Sequence, residues 1–190
     1  MDMPSNRIEQ AFRAMPREQF LPAPARPFAS DDLPIKIGFG QTNSQPSTVY
    51  KMLTWLDPQP GQKILDVGSG SGWTTALLAW LTRPTGHVFA VERIPELLAM
   101  GRDNCRRLGI DTVSFHQAGD QLGLPKYAPY DRILVSASTN ELPETLIAQL
   151  RPHGKLVVPV DHSILVITMG TYGELNIDTH YGFAFVPLVS

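Results

Sequence analysis

A glycine-rich turn bracketed by acids is the first place in the chain where residue types and spacing suggest chemistry. Asp66 precedes three alternating glycines, Gly68, Gly70 and Gly72, and Glu92 closes a strand predicted at 88–91. Glycine tolerates positive φ and lets a ligand approach the main chain, so the turn can accept a nucleotide-like ligand. A carboxylate just before the glycines favours a ligand with a cationic end over a pyrophosphate.

Other glycine-rich motifs do not fit. The dinucleotide pattern would need its third glycine at Trp73, and the Gly-Lys-Ser/Thr of a phosphate-binding loop is missing. The serine of a hydrolase turn is also missing from the midpoint between glycines four apart. An acid at the end of the second strand of such a unit accepts both ribose hydroxyls. Glu92 and Asp66 together therefore favour S-adenosylmethionine, which has an ammonium and a sulfonium but no phosphate. The simpler alternatives are a turn carboxylate at Asp66 and a solvated strand end at Glu92.

A third acid follows the next predicted strand, at 113–116. Asp120, after Gly119, could accept a hydrogen bond from an adenine amino group, or could be an ordinary turn aspartate.

A second polar stretch precedes a predicted helix. Thr42, Asn43, Ser44 and Gln45 crowd the start of a helix beginning at Pro46. Its buried positions are predicted to be Val49, Met52, Leu53 and Leu56. A helix N-terminus presents free N–H donors and favours an anion. The alternative is that one of these residues simply caps the helix.

Alternating strands and helices must position these residues. Strands are predicted at 64–67, 88–91, 113–116, 130–135, 154–160, 164–169 and 181–189. Helices are predicted at 6–15, capped by Asn6 with Glu9, after the glycines, from Pro46, from Pro95 to Gly109, and from Pro143 to about 150. This order predicts an α/β fold with a doubly wound, Rossmann-like sheet, mostly parallel with an antiparallel C-terminal edge. The proline-rich stretch 22–27 is predicted to be an extended arm anchored by Phe20, Leu21 and Phe28. The loop 136–140 should border the substrate, because ligands bind at the carboxyl ends of the strands.

Length and composition bound the remaining possibilities. The 190 residues predict a single domain, 1–190, with an N-terminal helix and substrate-side arm (1–45) and a cofactor-binding core (46–190). A formal charge of -2 argues against nucleic acid as a partner. Cys105 is the only cysteine and excludes an internal disulfide, and no apolar run reaches the ~20 residues of a membrane span. The five histidines lack metal-ligand spacing, so no metal is expected. We expect a cytoplasmic monomer that does not bind membranes.

The chain resembles protein-L-isoaspartate O-methyltransferases along nearly its whole length. The most specific match is Gly40-Gln41-Thr42-Asn43-Ser44-Gln45-Pro46, which is similar to the substrate-side motif of the family. The cofactor motifs resemble Asp66-Val67-Gly68-Ser69-Gly70-Ser71-Gly72-Trp73, Val91-Glu92-Arg93 and Gly119-Asp120. Further matches are the segments 11–20, 128–131, 149–150, 158–160 and 185–188.

The resemblance implies a repair reaction. The family transfers a methyl group from S-adenosylmethionine to the carboxylate of L-isoaspartyl residues in damaged peptides and proteins, and S-adenosylhomocysteine is the other product. The ester then closes to a succinimide that can reopen to aspartate. By resemblance, Ser44 contacts the isoaspartyl carboxylate and Thr42 lies beside it. The cofactor positions implied are Asp66, Gly68, Ser69, Gly70, Gly72, Glu92, Arg93, Gly119 and Asp120.

The residues are consistent with such chemistry. A carboxylate has a pKa near ~4 and is ionised at neutral pH, so methyl transfer to it needs no general base. Two alternatives remain: a related methyltransferase acting on another carboxylate, an RNA or a small molecule, and a non-catalytic cofactor-binding relative. They are kept because the chain departs from the family pattern at Gln121, at 136–140 and at 161–164, mostly on the substrate side.

Overall fold

Two sheets are present in the computed structural model, which describes residues 4–188. A small hairpin consists of β1 (Ile35–Gly38) and β2 (Gln41–Asn43). The main sheet contains seven strands: β3 (Lys63–Val67), β4 (His87–Glu92), β5 (Val113–Gln117), β6 (Tyr130–Val135), β7 (Leu150–Val160), β8 (Ser163–Met169) and β9 (Leu175–Tyr181). Their order across the sheet is β5-β4-β3-β6-β7-β8-β9.

The pairing confirms the predicted fold class. Strands β3 to β7 pair in parallel, whereas β8 and β9 add to the sheet in antiparallel orientation. The chain order reverses between β3 and β6, and the crevice at the carboxyl ends of strands on either side of such a switch point is the usual ligand site. The fold therefore directs attention to the residues that follow β3, β4 and β6.

Within residues 4–188, five α-helices accompany the strands: α1 (Pro4–Ala14), α2 (Pro46–Leu56), α3 (Trp73–Thr82), α4 (Pro95–Arg107) and α5 (Glu144–Ile147). Helices α2 and α4 begin at their predicted prolines, because proline has the right φ and its missing N–H costs nothing in the first helical turn. The four predicted core positions of α2 are buried. Helix α3 is apolar on nearly every side and is buried almost completely between α1 and the sheet.

The predicted strand at 181–189 is wrong. Strand β9 ends at Tyr181, and the described part of the segment that follows contributes only an isolated bridge between Pro187 and Ser138. Gly182 has φ +91° and turns the chain away from the sheet, and Pro187 lacks the N–H that a ladder requires. Residue 189 lies outside the described residues.

The N-terminal arm is more regular than predicted. It forms 3-10 helices at Arg17–Phe20 and Ala23–Phe28, because the fixed φ of proline also suits this conformation. Phe20 and Leu21 are buried as expected, but Phe28 is 56% exposed and does not anchor the arm.

Two helix boundaries also differ from prediction. Asn6 is inside α1, where its side-chain oxygen accepts a hydrogen bond from Gln10 at 3.1 Å, so it cannot form the predicted cap with Glu9. Helix α5 is a single turn, and β7 begins at Leu150 instead of 154. Within residues 4–188, no helix has the length and apolar character to cross a membrane.

Candidate active site

A cavity of about 1000 Å³ opens at the carboxyl ends of β3, β4 and β6. One wall is the glycine-rich turn and the acids of the neighbouring strands, and the opposite wall is the segment 41–44 at the start of α2. The loop 136–140 lines the cavity, as predicted from its place after β6. The two stretches that the sequence singles out are thus brought together around a single volume.

The three glycines of the turn have two different structural roles. Gly68 and Gly70 line the cavity, with positive φ of +77° and +51° that bare the main chain toward it. Gly72 is not part of the cavity wall. A Cβ at Gly72 would come within 2.9 Å of the backbone of Gly101 in α4, so this glycine lets the helix pack against the turn. Gly72 therefore supports the predicted site from behind.

Glu92 is a buried, oriented carboxylate and not a solvated strand end. Its side chain lines the cavity and is only 7% exposed. One oxygen accepts the N–H of Gly70 at 2.8 Å, and the other accepts the N–H groups of Arg93 at 2.8 Å and Ile94 at 3.0 Å. Backbone donors thus set the direction of the carboxylate, and its remaining acceptor capacity suits a diol.

Asp66 does not face the ligand cavity, contrary to the prediction from the sequence. Its side chain is fully buried behind the turn, outside the cavity wall, and one oxygen accepts the hydroxyls of Thr74 at 3.0 Å and Thr75 at 2.6 Å. The other oxygen has no hydrogen-bond partner among residues 4–188. Burial raises the pKa of Asp66 to about 6, against the lowering effect of the two hydroxyls. Asp66 can therefore influence a cationic ligand only through its electric field.

The other predicted cofactor residues line the cavity. Gly119 and Asp120 follow β5, and Arg93 follows Glu92. Ser69 lies in the turn, 4% exposed, and its hydroxyl has no hydrogen-bond partner within the described part of the chain. The residues present fit an adenosyl ligand, because an oriented acid, a bare turn and a second acid face the same volume.

Thr42 and Ser44 line the opposite wall. Both also border a smaller neighbouring pocket of about 240 Å³, which they share with Ser136 and Val186. The two predicted substrate-side hydroxyls therefore lie between the main cavity and a second opening.

None of the four polar residues before α2 caps the helix, so the predicted cap is wrong. The cap comes from Asp32, a residue of the arm: its carboxylate accepts the N–H of Ser47 at 2.8 Å and the side-chain amide of Gln45 at 3.0 Å. These hydrogen bonds, that of Ser47 first, lower the pKa of Asp32. Asp32 thus takes the N–H of Ser47, while Thr42 and Ser44 still line the cavity, so an anion site beside these two hydroxyls stays a prediction.

Comparisons with known proteins identify the family. The model of the family Protein-L-isoaspartate(D-aspartate) O-methyltransferase (PCMT) matches residues 2–190. The chain belongs to this family.

Relatives and solved structures agree. The chain is 44% identical to the protein-L-isoaspartate O-methyltransferase of Methanopyrus kandleri over 97% of its own length and 84% of that protein. It is 45% identical to the enzyme of that name from Aeropyrum pernix, over 97% and 73%. A solved protein-L-isoaspartate O-methyltransferase superposes with a TM-score of 0.87 at 26% identity, over 97% of this chain but only 62% of that one. A Plasmodium falciparum structure of this type in complex with S-adenosyl-L-homocysteine gives a TM-score of 0.84 at 25% identity, over 100% and 92%. The predicted family is confirmed.

Two parts of this PCMT-family site were not predicted from the sequence: the C-terminal wall and one arginine. Val186, Pro187 and Leu188 line the cavity, since Ser138 donates its N–H to Val186 O at 2.8 Å and accepts that of Leu188 at 2.7 Å. Arg17 is 5% exposed and lies 5.5 Å from the ring centre of Trp73. The only hint of this burial in the sequence is that Arg17 lies between the apolar residues Met15 and Phe20.

Burial lowers the pKa of Arg17 to about 10, and the charges of Asp32 and Asp31 oppose that effect. The guanidinium therefore stays protonated at neutral pH. The substrate side of the site thus contains a buried cation that is surrounded by main-chain oxygens.

Proposed function

We propose that this chain transfers the methyl group of S-adenosylmethionine to the carboxylate of L-isoaspartyl residues in damaged proteins. The observation that carries the proposal is the shared cavity, in which Glu92 and the glycine turn face Thr42 and Ser44. As a member of the family, the chain is an S-adenosylmethionine-dependent protein carboxyl methyltransferase that acts on isoaspartyl proteins. The predicted enzyme class and cofactor are confirmed.

The cofactor side is proposed to recognise the two ends of the adenosyl group. Glu92 would accept the ribose hydroxyls, since three backbone N–H groups already direct its carboxylate. Asp120 would accept the adenine amino group. Gly68, Ser69 and Gly70 would contact the remainder of the ligand through main chain, with Arg93 and Gly119 completing the wall.

The substrate side is proposed to bind a carboxylate through neutral donors. The hydroxyl of Ser44 would donate to one carboxylate oxygen, and Thr42 would lie beside it. When bound, S-adenosylmethionine supplies an electrophilic methyl group on a sulfonium centre. The residues orient an already ionised carboxylate and exclude water, which needs no general base and contributes up to ~7–11 kcal/mol when alignment is good.

A pair of peptides tests the function. One contains an L-isoaspartyl residue and the other contains aspartate at the same position in an otherwise identical sequence. We expect transfer of a labelled methyl group to the isoaspartyl peptide and none to its aspartyl twin. Equal labelling of both peptides, or of neither, would contradict the proposed substrate.

We further propose that residues 1–190 act as one methyltransferase domain and work as a cytoplasmic monomer on protein substrates, without nucleic acid or membrane. The formal charge of -2 and the burial of Cys105 support this proposal. Light scattering coupled to gel filtration should give the mass of one chain, and a dimer mass would contradict the monomer.

A further inference from the structure

The guanidinium of Arg17 joins two segments under the substrate wall. Its Nη1 donates to the carbonyl of Asp31 at 3.0 Å, and Nη2 donates to that of Leu33 at 2.8 Å. Nη2 also donates to the carbonyls of Asn43 at 3.0 Å and Ser44 at 2.9 Å. One side chain therefore sets the position of the arm and of the segment that carries Ser44.

Arg17 also determines which way the side chain of Asn43 faces. The remaining donor, Nε, bonds the side-chain oxygen of Asn43 at 2.7 Å, and arginine can only donate. The amide nitrogen of Asn43 must therefore face the other way, where it donates to the hydroxyl oxygen of Ser71 at 3.1 Å. Asn43 is 5% exposed and Ser71 is 2% exposed.

Ser71 belongs to the glycine-rich turn and is itself held from behind. Its main-chain oxygen accepts the side-chain amide of Asn104 in α4 at 3.0 Å. A continuous series of hydrogen bonds thus runs from the carbonyl of Ser44, through Arg17 and Asn43, to the turn. Its first bond, to Ser44, is partly buried, and the others are buried.

Packing the arm against the turn does not require such a series of hydrogen bonds, since apolar side chains would do the same. A buried amide or hydroxyl destabilises the protein when its hydrogen-bond partner is lost, whereas an apolar side chain of similar size needs no such partner. Hydrogen bonds add direction, and the direction here relates the two walls of the cavity.

We propose that Arg17, Asn43 and Ser71 form a positioning relay that couples ligand binding at the glycine turn to the presentation of Ser44 to the substrate carboxylate. The relay rests on the proposed function, because its two ends are the proposed cofactor and substrate walls. Its members are positioning residues, since each acts through Ser44 or through the turn and not on the reacting atoms.

If the relay exists, binding at the cofactor site changes affinity at the substrate site. Breaking the relay should remove this coupling, while each site can still bind its own ligand. Coupling between two sites typically changes affinity about 5–150-fold. With the relay intact, S-adenosylhomocysteine should tighten binding of the isoaspartyl peptide at least about 5-fold. Without it, the ratio of affinities should fall towards ~1, and the peptide KM should rise more than kcat falls.

Isothermal titration measures the coupling directly. The isoaspartyl peptide is titrated with and without saturating S-adenosylhomocysteine into the wild type, Asn43→Leu, Ser71→Ala and the double variant. We expect the coupling to be lost in each single variant, and the double variant to be no worse than Asn43→Leu, because both substitutions break the same series. Thr82→Val is the matched control: it removes a buried hydroxyl, bonded to the carbonyl of Leu78 at 2.9 Å, outside the cavity.

The outcomes separate the relay from the function. Folded variants that keep the wild-type coupling and peptide KM would overturn the relay alone. If Asn43→Leu does not fold, Ser71→Ala decides. A loss of coupling in Thr82→Val would also count against the relay, since any buried hydroxyl would then suffice. A wild type that neither binds nor methylates the isoaspartyl peptide would overturn the proposed function and the relay together.

Discussion

At the scale of single residues, Ser44 is the proposed donor to the substrate carboxylate. Removing its hydroxyl in Ser44→Ala deletes a hydrogen bond to a charged group, typically worth about 1.5–3 kcal/mol. We expect kcat/KM for the isoaspartyl peptide to fall on the order of 10–100-fold, while affinity for S-adenosylhomocysteine changes little. Steady-state kinetics and titration measure the two effects. The control is Ser114→Ala, which removes a serine hydroxyl that is hydrogen-bonded to His87 and lies outside the cavity. It should leave kcat/KM and the affinity for S-adenosylhomocysteine unchanged.

The raised pKa of Asp66 leads us to expect that the free energy of unfolding depends on pH. Because the pKa is raised from 3.8 to about 6 in the folded protein, the native state binds this proton more tightly than the unfolded chain does. The contribution of Asp66 to stability is therefore greatest below about pH 4, falls as pH rises towards 6, and remains a cost above it. Asp66→Asn should remove that cost.

The measurement for Asp66 is thermal unfolding without cofactor. The stability of Asp66→Asn relative to the wild type should increase by on the order of 1 kcal/mol between about pH 5 and about pH 7.5. A difference that does not change with pH would show that the carboxyl group has an ordinary pKa.

The residue-level errors have physical causes. Side chains alternate along a strand, so Asp66 shares the face of Ile64, which packs in the core with α3, while Val67 lies on the opposite face. Counting faces would have directed Asp66 away from the cavity. Glu92, Thr42 and Ser44 could be predicted to line the site, because Glu92 ends β4 and the other two lie shortly before the start of α2. Arg17 could not, since its partners are mostly main-chain carbonyls, which leave no trace in a sequence.

At the scale of elements, α4 packs against the glycine turn through Gly101. A Cβ at this position would be 3.0 Å from the carbonyl oxygen of Gly70 and 3.1 Å from the ring of Phe115. Alanine normally stabilises a helix interior relative to glycine by about 1 kcal/mol. Here we expect Gly101→Ala to destabilise the protein by roughly 1–3 kcal/mol through overpacking, and to weaken S-adenosylhomocysteine binding.

Chemical denaturation measures the change in stability of Gly101→Ala, and titration with S-adenosylhomocysteine measures the change in its affinity. Asp103→Ala is the control, because it changes an exposed position of α4 and should leave cofactor affinity unaltered. A more stable Gly101→Ala protein with wild-type affinity would mean that the contact between helix and turn can relax.

Element boundaries could be predicted where local chemistry decides them. Pro46 and Pro95 mark helix starts, and β6 has the predicted limits, 130–135. The segment after Tyr181 could not be predicted, because its backbone, as far as residue 188, bonds to His162 in the turn before β8 and then to Ser138 in a distant loop, and forms no regular strand ladder. The cap of α2 was missed for the same reason, since Asp32 reaches it from the arm.

At the scale of the whole molecule, the cavity is lined by distant parts of the chain. It takes residues from 37 near the N-terminus to 188, including the turns after β3, β4 and β5 and the loop after β6. The strand order could be anticipated from the alternation of strands and helices, but the closure of the cavity by the arm and by 186–188 is a tertiary outcome. A ligand in the cavity therefore contacts several elements at once, and only the folded state brings these elements together.

A whole-molecule prediction follows from this arrangement. Ligand that binds only the folded state, at about 100 times its Kd, stabilises a protein by about 2.7 kcal/mol. For a domain of this size each kcal/mol shifts Tm by about 2–4 °C, so S-adenosylhomocysteine should raise Tm by roughly 5–10 °C. A nicotinamide dinucleotide at the same concentration should give no shift, because its pyrophosphate would lie in the field of Asp66 and the turn has Trp73 in place of the third glycine of the dinucleotide pattern. A shift with the dinucleotide and none with S-adenosylhomocysteine would contradict the assignment of this cavity to an adenosyl sulfonium ligand.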